Sequence, residues 1–267
     1  MNVDLSWSRY NDIADEYERV MVPHFFQPVA VHFVSLLPLR RGQRVLDVAC
    51  GTGIVGRAAL ERFDQLCVVG IDLSLPMMQH AKHCGIGRLA VANVLDLPFA
   101  ARFDHVAASF VLNHLPDCVS AVGKMTQALR SHGTIGLTSW AIGPSENEVG
   151  TAWSEVAATY VSGERLRDAS RRALPNEEYL HSRDALAAIL RQAGLSIVRS
   201  EQVGFITNMT AADYSVSRFG SLSGRFIKSS VPPERWREFQ ATAINTLADR
   251  FGEKVEIRTA VNFAIAT

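Results

Sequence analysis

Four groups in this sequence could do chemistry together. Gly51, Gly53 and Gly56 spell G-x-G-x-x-G in "VLDVACGTGIVG" (Val45–Gly56). Asp47 precedes that turn by four residues, Asp72 closes the apolar stretch "CVVGIDLS", and Asn113-His114 follows "FDHVAASFVL". A turn built from glycines lets a ligand approach the backbone, because no Cβ stands in the way. The helix N-terminus behind such a turn favours an anion such as a pyrophosphate. An acid at the end of the second strand can take both hydroxyls of a ribose. The Asp47 carboxylate argues against a phosphate, because it would repel one and suits a cationic group instead. A lone glycine motif is weak grounds for a dinucleotide. An NAD(P)-dependent oxidoreductase therefore stays open, resting on those three glycines.

Elements that would position these residues are readable from the hydrophobic pattern. Ile13, Tyr17 and Val20 recur at helical spacing, and Pro28–Leu39 reads as a second helix. Strands are expected over Arg44–Ala49, Cys67–Ser74, "RLAVANV", Phe103–Leu112 and Gly133–Ala141. Helices fall between them, at Ile54–Phe63, about Pro76–Cys84 and Pro116–Leu129. Such alternation implies a doubly wound α/β sheet of parallel strands joined by right-handed crossovers. After Ala141 the alternation breaks. Helices are expected over Asn147–Val161, Asp184–Ala193, Ala211–Phe219 and Pro232–Phe251, with strands at Leu195–Thr207 and Val255–Ala266.

Composition narrows the class. Of 267 residues 48% are hydrophobic and 20% charged, so a packed core is expected. Basic and acidic residues balance at 27 each, and nucleic-acid binding would ordinarily leave a basic excess. Cys50, Cys67, Cys84 and Cys118 form no C-x-x-C pair and read as reduced thiols. No apolar stretch is long enough to span a bilayer, and the polar start has no signal-peptide core. A cytoplasmic protein is the expectation. His80, His83 and Cys84 share a helix, but their spacing matches no zinc site. Arg165, Arg167, Arg171 and Arg172 read as a solvated helix face. Trp153, Tyr160, Tyr214 and Phe219 suit a substrate pocket or internal packing equally.

Read in order, "VLDVACGTG", "VVGIDLS", "ANVLDLPF", "FDHVAASFVLNHLPD" and "ALRSHGTIGLTSW" resemble the class I S-adenosylmethionine-dependent methyltransferases, in particular the ubiquinone/menaquinone-biosynthesis-like small-molecule group. The resemblance covers Arg44–Trp140 firmly and the flanks loosely. It implies a Rossmann-like sheet of seven strands with the last antiparallel. It also implies one domain with helical lid additions at residues 1–40, 144–180 and 208–252. S-adenosylmethionine would be the cofactor and S-adenosylhomocysteine the product, with no metal. Carried over, Asp47 and the turn Ala49, Cys50, Gly51 and Gly53 would hold the methionine end. Asp72 would take the ribose, and Leu73 would pack on the adenine. Asn93, Val94, Leu95 and Met77 would complete the adenine side, with Ser109 and Phe110 near the sulfonium. Tyr10 and Tyr17 would close over the cofactor, and His114 would face the acceptor.

Three departures stand out. Ala49 replaces a frequent glycine, Asn93 a frequent aspartate, and Ser131-His132 a usual Pro-Gly. The Asn/Asp-Pro-Pro-Tyr/Phe signature of nucleic-acid and amide methyltransferases is absent, which points to a small-molecule acceptor, monomer or homodimer being open. Methyl transfer to an O, N or C nucleophile is the expected reaction. A fold member using the cofactor structurally, as a cyclase or binding module, would look the same.

Overall fold

The computed structural model describes residues 5–267. Its sheet has seven strands: β1 (Arg44–Val48), β2 (Cys67–Asp72), β3 (Leu89–Val91), β4 (Phe103–Ser109), β5 (Leu129–Ile142), β6 (Ile197–Thr210) and β7 (Lys254–Ala266). They lie in the order β3-β2-β1-β4-β5-β7-β6. The pairs among β1 to β5 are parallel, and β7 runs antiparallel to both its neighbours. The order reverses at β1, where chain crossovers switch from one side to the other. In open α/β sheets that point leaves a crevice at the carboxyl strand ends. The glycine turn, Asp72 and Ser109 all sit there.

Central strands are near-continuous apolar runs because both faces are covered. Leu46, Val48, Val106 and Ala108 pack on the Cys118–Ala128 and Arg183–Gln192 helices. Val45, Val68, Ala107 and Ile265 pack on the Gln27–Leu36 and Ile54–Arg62 helices. A separate helical group carries its own core around Trp153, Tyr214, Phe219 and Phe239. Those aromatics are therefore packing residues: Trp153 and Phe239 meet edge to face at 5.4 Å.

Several sequence expectations need correction. The Gln27–Leu36 helix does not belong to a lid. Its Phe33 lies so close to the sheet that a Cβ on Gly136 would meet the ring at 2.7 Å. Only the segment before it, through the π-wound stretch Tyr17–Phe26, crosses the site; its first four residues lie outside those described. β5 begins at Leu129 rather than Gly133, continuing directly from the helix. Two helices, Glu177–Leu180 and Leu222–Ser230, were not expected from the sequence. Both are short, and in the second serines and a glycine blur the apolar period.

Candidate active site

The glycine turn is built from below. Asp47 is 2% exposed, and its Oδ2 accepts from the Gly56 amide at 3.1 Å. A Cβ on Gly56 would crowd Ile86 and Val68 at 3.0 Å and approach that carboxylate at 3.4 Å. Gly53 caps the following helix at φ +83 with no side-chain cap, so the first helical amides face the crevice. The Thr52 hydroxyl oxygen, buried in the turn, has no hydrogen-bond partner. Asp72 closes the turn from the next strand: Oδ2 accepts from Gly51 N and Oδ1 from Ser74 N, both at 2.8 Å.

Burial raises both carboxyls. Asp47 is pushed up to about 7, with Asp72 adding to the rise and the Gly56 bond opposing it. Asp72 is raised less clearly, because burial is opposed by the Ser74, Gly51 and Leu73 amides. The Cys50 thiol is driven up by burial and by the two aspartates, so it is a neutral packing group. Its sulfur lies against the space a side chain on Gly70 would need.

The two departures from the family's glycines acquire a backbone meaning. Ala49 has φ +54 and His132 φ +63, the left-handed region that glycine enters without a Cβ penalty. Each non-glycine residue there costs about 1–2 kcal/mol. Phe110 shares this conformation at φ +54, which turns the chain out of β4 into the crevice. Its amide is held by the Thr138 carbonyl and hydroxyl oxygens, both at 3.2 Å.

Other expected site residues divide by where they point. Leu73 is 68% exposed beside the turn, an open apolar wall. Asn93 is exposed, but its Oδ1 accepts from Leu95 N at 3.0 Å, which engages the oxygen expected for a ligand. The Val94 side chain packs into the core with Leu95 against it, so only backbone can border a ligand at Val94. Ser109 shares a 2.8 Å hydrogen bond with Thr138, turned along the sheet rather than into the crevice. Met77 is buried against Ile13 and Ala14, with Tyr10 and Tyr17 packed beside it. The expectation that Asp47 meets a ligand ammonium directly is also corrected, since its carboxylate lies beneath the turn.

Across the crevice, His114, Tyr10, Tyr17, Phe26, Phe110 and Trp140 form a chain of ring contacts. Tyr10 Oη lies 3.3 Å from His114 Nε2, and the rings meet edge to face at 5.7 Å. Tyr17 stacks on Phe26 at 5.0 Å, and Phe110 on Trp140 at 4.4 Å. Burial, with Arg225 nearby, holds His114 down at about 4, so its imidazole is neutral near pH 7. An ion pair and a hydrogen bond tie the Tyr-bearing segment down. Glu18 takes Arg57 through both oxygens at 2.8 and 3.1 Å, and Asp15 takes His80 at 2.8 Å.

Sequence reasoning missed the far wall. A gap beside Phe110 and Asn113 is lined also by Trp140, Glu177 and His181. Glu177 and His181 then border a cavity of about 870 Å³ beyond, walled by Trp153, Leu166, Arg167 and Leu174. No motif marks Glu177 or His181. The signal is spatial: Asn262 Nδ2 donates to the Leu180 and His181 carbonyls, and Ser139 Oγ donates to Leu180 O, so β5 and β7 hold this corner. Among the described residues no group of three His, Cys, Asp or Glu could hold a metal ion, and no helix is long and apolar enough to cross a membrane.

Comparisons with known proteins bear on the family and the fold. A family model described as a methyltransferase domain matches residues 45–133, from β1 to the start of β5's parallel pairing. Nocamycin O-methyltransferase of Saccharothrix syringae is 31% identical over 89% of this chain and 89% of its own length. Phosphoethanolamine N-methyltransferase 3 of Arabidopsis thaliana is 27% identical over 84% of this chain, which spans only 48% of that relative. In fold, a Haemonchus contortus phosphoethanolamine N-methyltransferase solved with phosphomonomethylethanolamine and S-adenosylhomocysteine superposes with TM-score 0.58. It is 18% identical and covers 96% of this chain and 57% of that one.

Proposed function

The chain belongs to the class I S-adenosylmethionine-dependent methyltransferases that act on small molecules, and on that basis we propose how its residues divide the work. S-adenosylmethionine is the cofactor and the methyl donor; its sulfonium supplies the electrophilic carbon. The open glycine turn, the uncapped helix start and the orphaned Thr52 hydroxyl suit the methionine carboxylate. Asp72 takes the ribose hydroxyls with lone pairs its two amide bonds leave free, and Leu73 covers the adenine beside the Asn93–Leu95 backbone. Asp47 acts through the turn, by holding Gly56. Tyr10, Tyr17 and Met77 close the cofactor from the N-terminal side. Ser109 positions Phe110 through Thr138.

The acceptor is a small molecule with an oxygen or nitrogen nucleophile, the atoms methylated by the relatives named above. Its body occupies the cavity behind Glu177 and His181, and its reactive atom reaches the sulfonium past Asn113 and His114. The single lid comprises the segment before Gln27 and the helices in residues 144–180 and 208–252. His114 is neutral, so it orients an acceptor proton through Nε2 or Tyr10. Its low pKa makes it a weak base. Alignment and exclusion of water carry most of the acceleration; holding two reactants in line is worth about 7–11 kcal/mol. The observation that carries this reading is the pair of amides, Gly51 and Ser74, fixing Asp72 at the crevice. Balanced charge supports an acceptor other than nucleic acid, and the free thiols support a cytoplasmic site of action.

Isothermal titration with S-adenosylmethionine, S-adenosylhomocysteine and NADH tests it. Binding of both adenosyl ligands, lost in Asp72→Ala, is the expected result. Binding of NADH alone would overturn the reading.

A further inference from the structure

Arg225 is a buried cation of the lid that neither fold nor cofactor explains. It stands on the Leu222–Ser230 helix, is 6% exposed, and forms no ion pair among the described residues. Its Nη1 donates to the Ser8 and Arg9 carbonyl oxygens at 2.8 and 2.7 Å. Those carbonyls satisfy hydrogens but bring no negative charge. Its guanidinium lies 4.4 Å from the Tyr10 ring centroid, and its buried Nε–H has no partner. Buried cations are ordinarily paired with an anion, because a lone charge away from water is costly. Planar guanidinium groups match oxyanions through two donors at once.

Its location gives that free donor a purpose. Tyr10 joins Arg225 to His114, the residue past which the acceptor reaches the sulfonium on the proposed reading. The surrounding surface is aromatic: Tyr17 stacks on Phe26 and Phe110 on Trp140, while Tyr10 meets Tyr17 and Phe26 meets Phe110 edge to face. Asp72 and Glu177 bear on Tyr10, and Asp12 bears on Arg225 from beyond ion-pair distance, so the Arg225 side is where an oxyanion would meet an unpaired positive group. We propose that Arg225 recognises the methyl acceptor, taking an acidic oxygen group of a flat, aromatic or conjugated small molecule and holding it against Tyr10 and His114. The acceptor thus supplies the directly paired counter-ion that Asp12, acting only at a distance, does not. Arg225 is a specificity residue: it selects acidic acceptors over neutral molecules of the same shape.

This rests on the methyl-transfer reading, and the test separates the two. Wild-type protein is first saturated with S-adenosylhomocysteine, then titrated with benzoate and with benzamide while arginine Nε–H resonances are followed. Arg225→Lys identifies the Arg225 signal by deleting it and keeps a positive charge for folding. Expected is a saturable shift of that signal with benzoate, about tenfold or more weaker with benzamide, and benzoate affinity about tenfold lower in Arg225→Lys. Equal response to both probes, or none at the solubility limit, overturns the proposal while leaving the cofactor reading intact. Failure to bind S-adenosylhomocysteine takes down both.

Discussion

At the ends of β1 and β2 both carboxylates are held by backbone amides, Asp72 by Gly51 and Ser74 and Asp47, beneath the turn, by Gly56; the Thr52 hydroxyl alone of the turn's side chains is left without a partner. Across the same crevice the lid offers side chains that are short of partners. The Asn113 Oδ1 and Arg225 Nε atoms are buried with none, and Glu177 is raised by burial. One side is a mould set before any ligand arrives. The other is a set of groups whose bonds an acceptor would complete. A shared cofactor can be bound by a fixed mould, and relatives can keep it while acceptors change. The methyltransferase family model accordingly matches residues 45–133, from β1 into β5.

The comparison is broken most directly at Asp72. Asp72→Ala removes the acceptor of two charge-assisted amide bonds, each worth about 1.5–3 kcal/mol, as well as the ribose contact. Affinity for S-adenosylmethionine should fall on the order of a thousandfold by titration calorimetry. A loss under tenfold would mean the mould does not depend on that anchor.

Asp47 tests what the mould costs. Burial holds its carboxyl at about 7, above its unfolded 3.8. Between those values the native state holds a proton the unfolded chain has released. That contribution to stability is full below about pH 4 and is lost as pH rises through 7. Asp47→Asn keeps an oxygen for Gly56 and carries no charge. Relative to wild type, the ligand-free variant should gain on the order of 2–4 kcal/mol between pH 5 and 8 by urea unfolding. A gain independent of pH would assign the effect to packing instead.

Two smaller changes sharpen the lid side. Glu18→Ala leaves the mostly buried Arg57 without its carboxylate and loosens the segment bearing Tyr10 and Tyr17. Release of S-adenosylhomocysteine, followed by stopped flow, should quicken about tenfold, while Asp15→Ala at its exposed pair should change it little. Tyr10→Phe removes one hydrogen bond to His114, about 0.5–1.5 kcal/mol. The effect, about fivefold, should appear in acceptor KM and leave cofactor affinity nearly unchanged.

The cofactor half was legible in the sequence for the same reason that it is rigid. Backbone geometry demands particular residues at particular spacings, so Gly51, Gly53, Gly56 and Asp72 announce themselves. Even the departures were readable in place though not in meaning: Ala49 and His132 occupy left-handed positions that only coordinates reveal. Asp47 was noticed, but its burial depends on Gly56 folding back over it, a tertiary fact. The lid was illegible because its members meet only in space. Arg225 comes from one helix, Glu177 and His181 from another and its C-cap, and they share no motif. Trp153 and Tyr214 suit a pocket or a core equally in the sequence because aromatic periodicity is the same for both; in the fold they pack in the helical core, with Trp153 also on the cavity wall.

β7 lies between β5 and β6, yet it follows both in the chain. As the polypeptide leaves the ribosome, β1 to β5 and the whole cofactor crevice can assemble while β5 still presents a bare edge. β6 has no place to dock until β7 arrives to bridge it. The corner holding Glu177 and His181 is pinned by Asn262 of β7, so it too must wait. The nascent chain therefore passes through a stage with a finished cofactor mould and an unsealed sheet. Exposed strand edges of that kind invite pairing with other chains. The last strand completes the acceptor side and covers the β5 edge in one event, leaving β6 as the edge of the finished sheet.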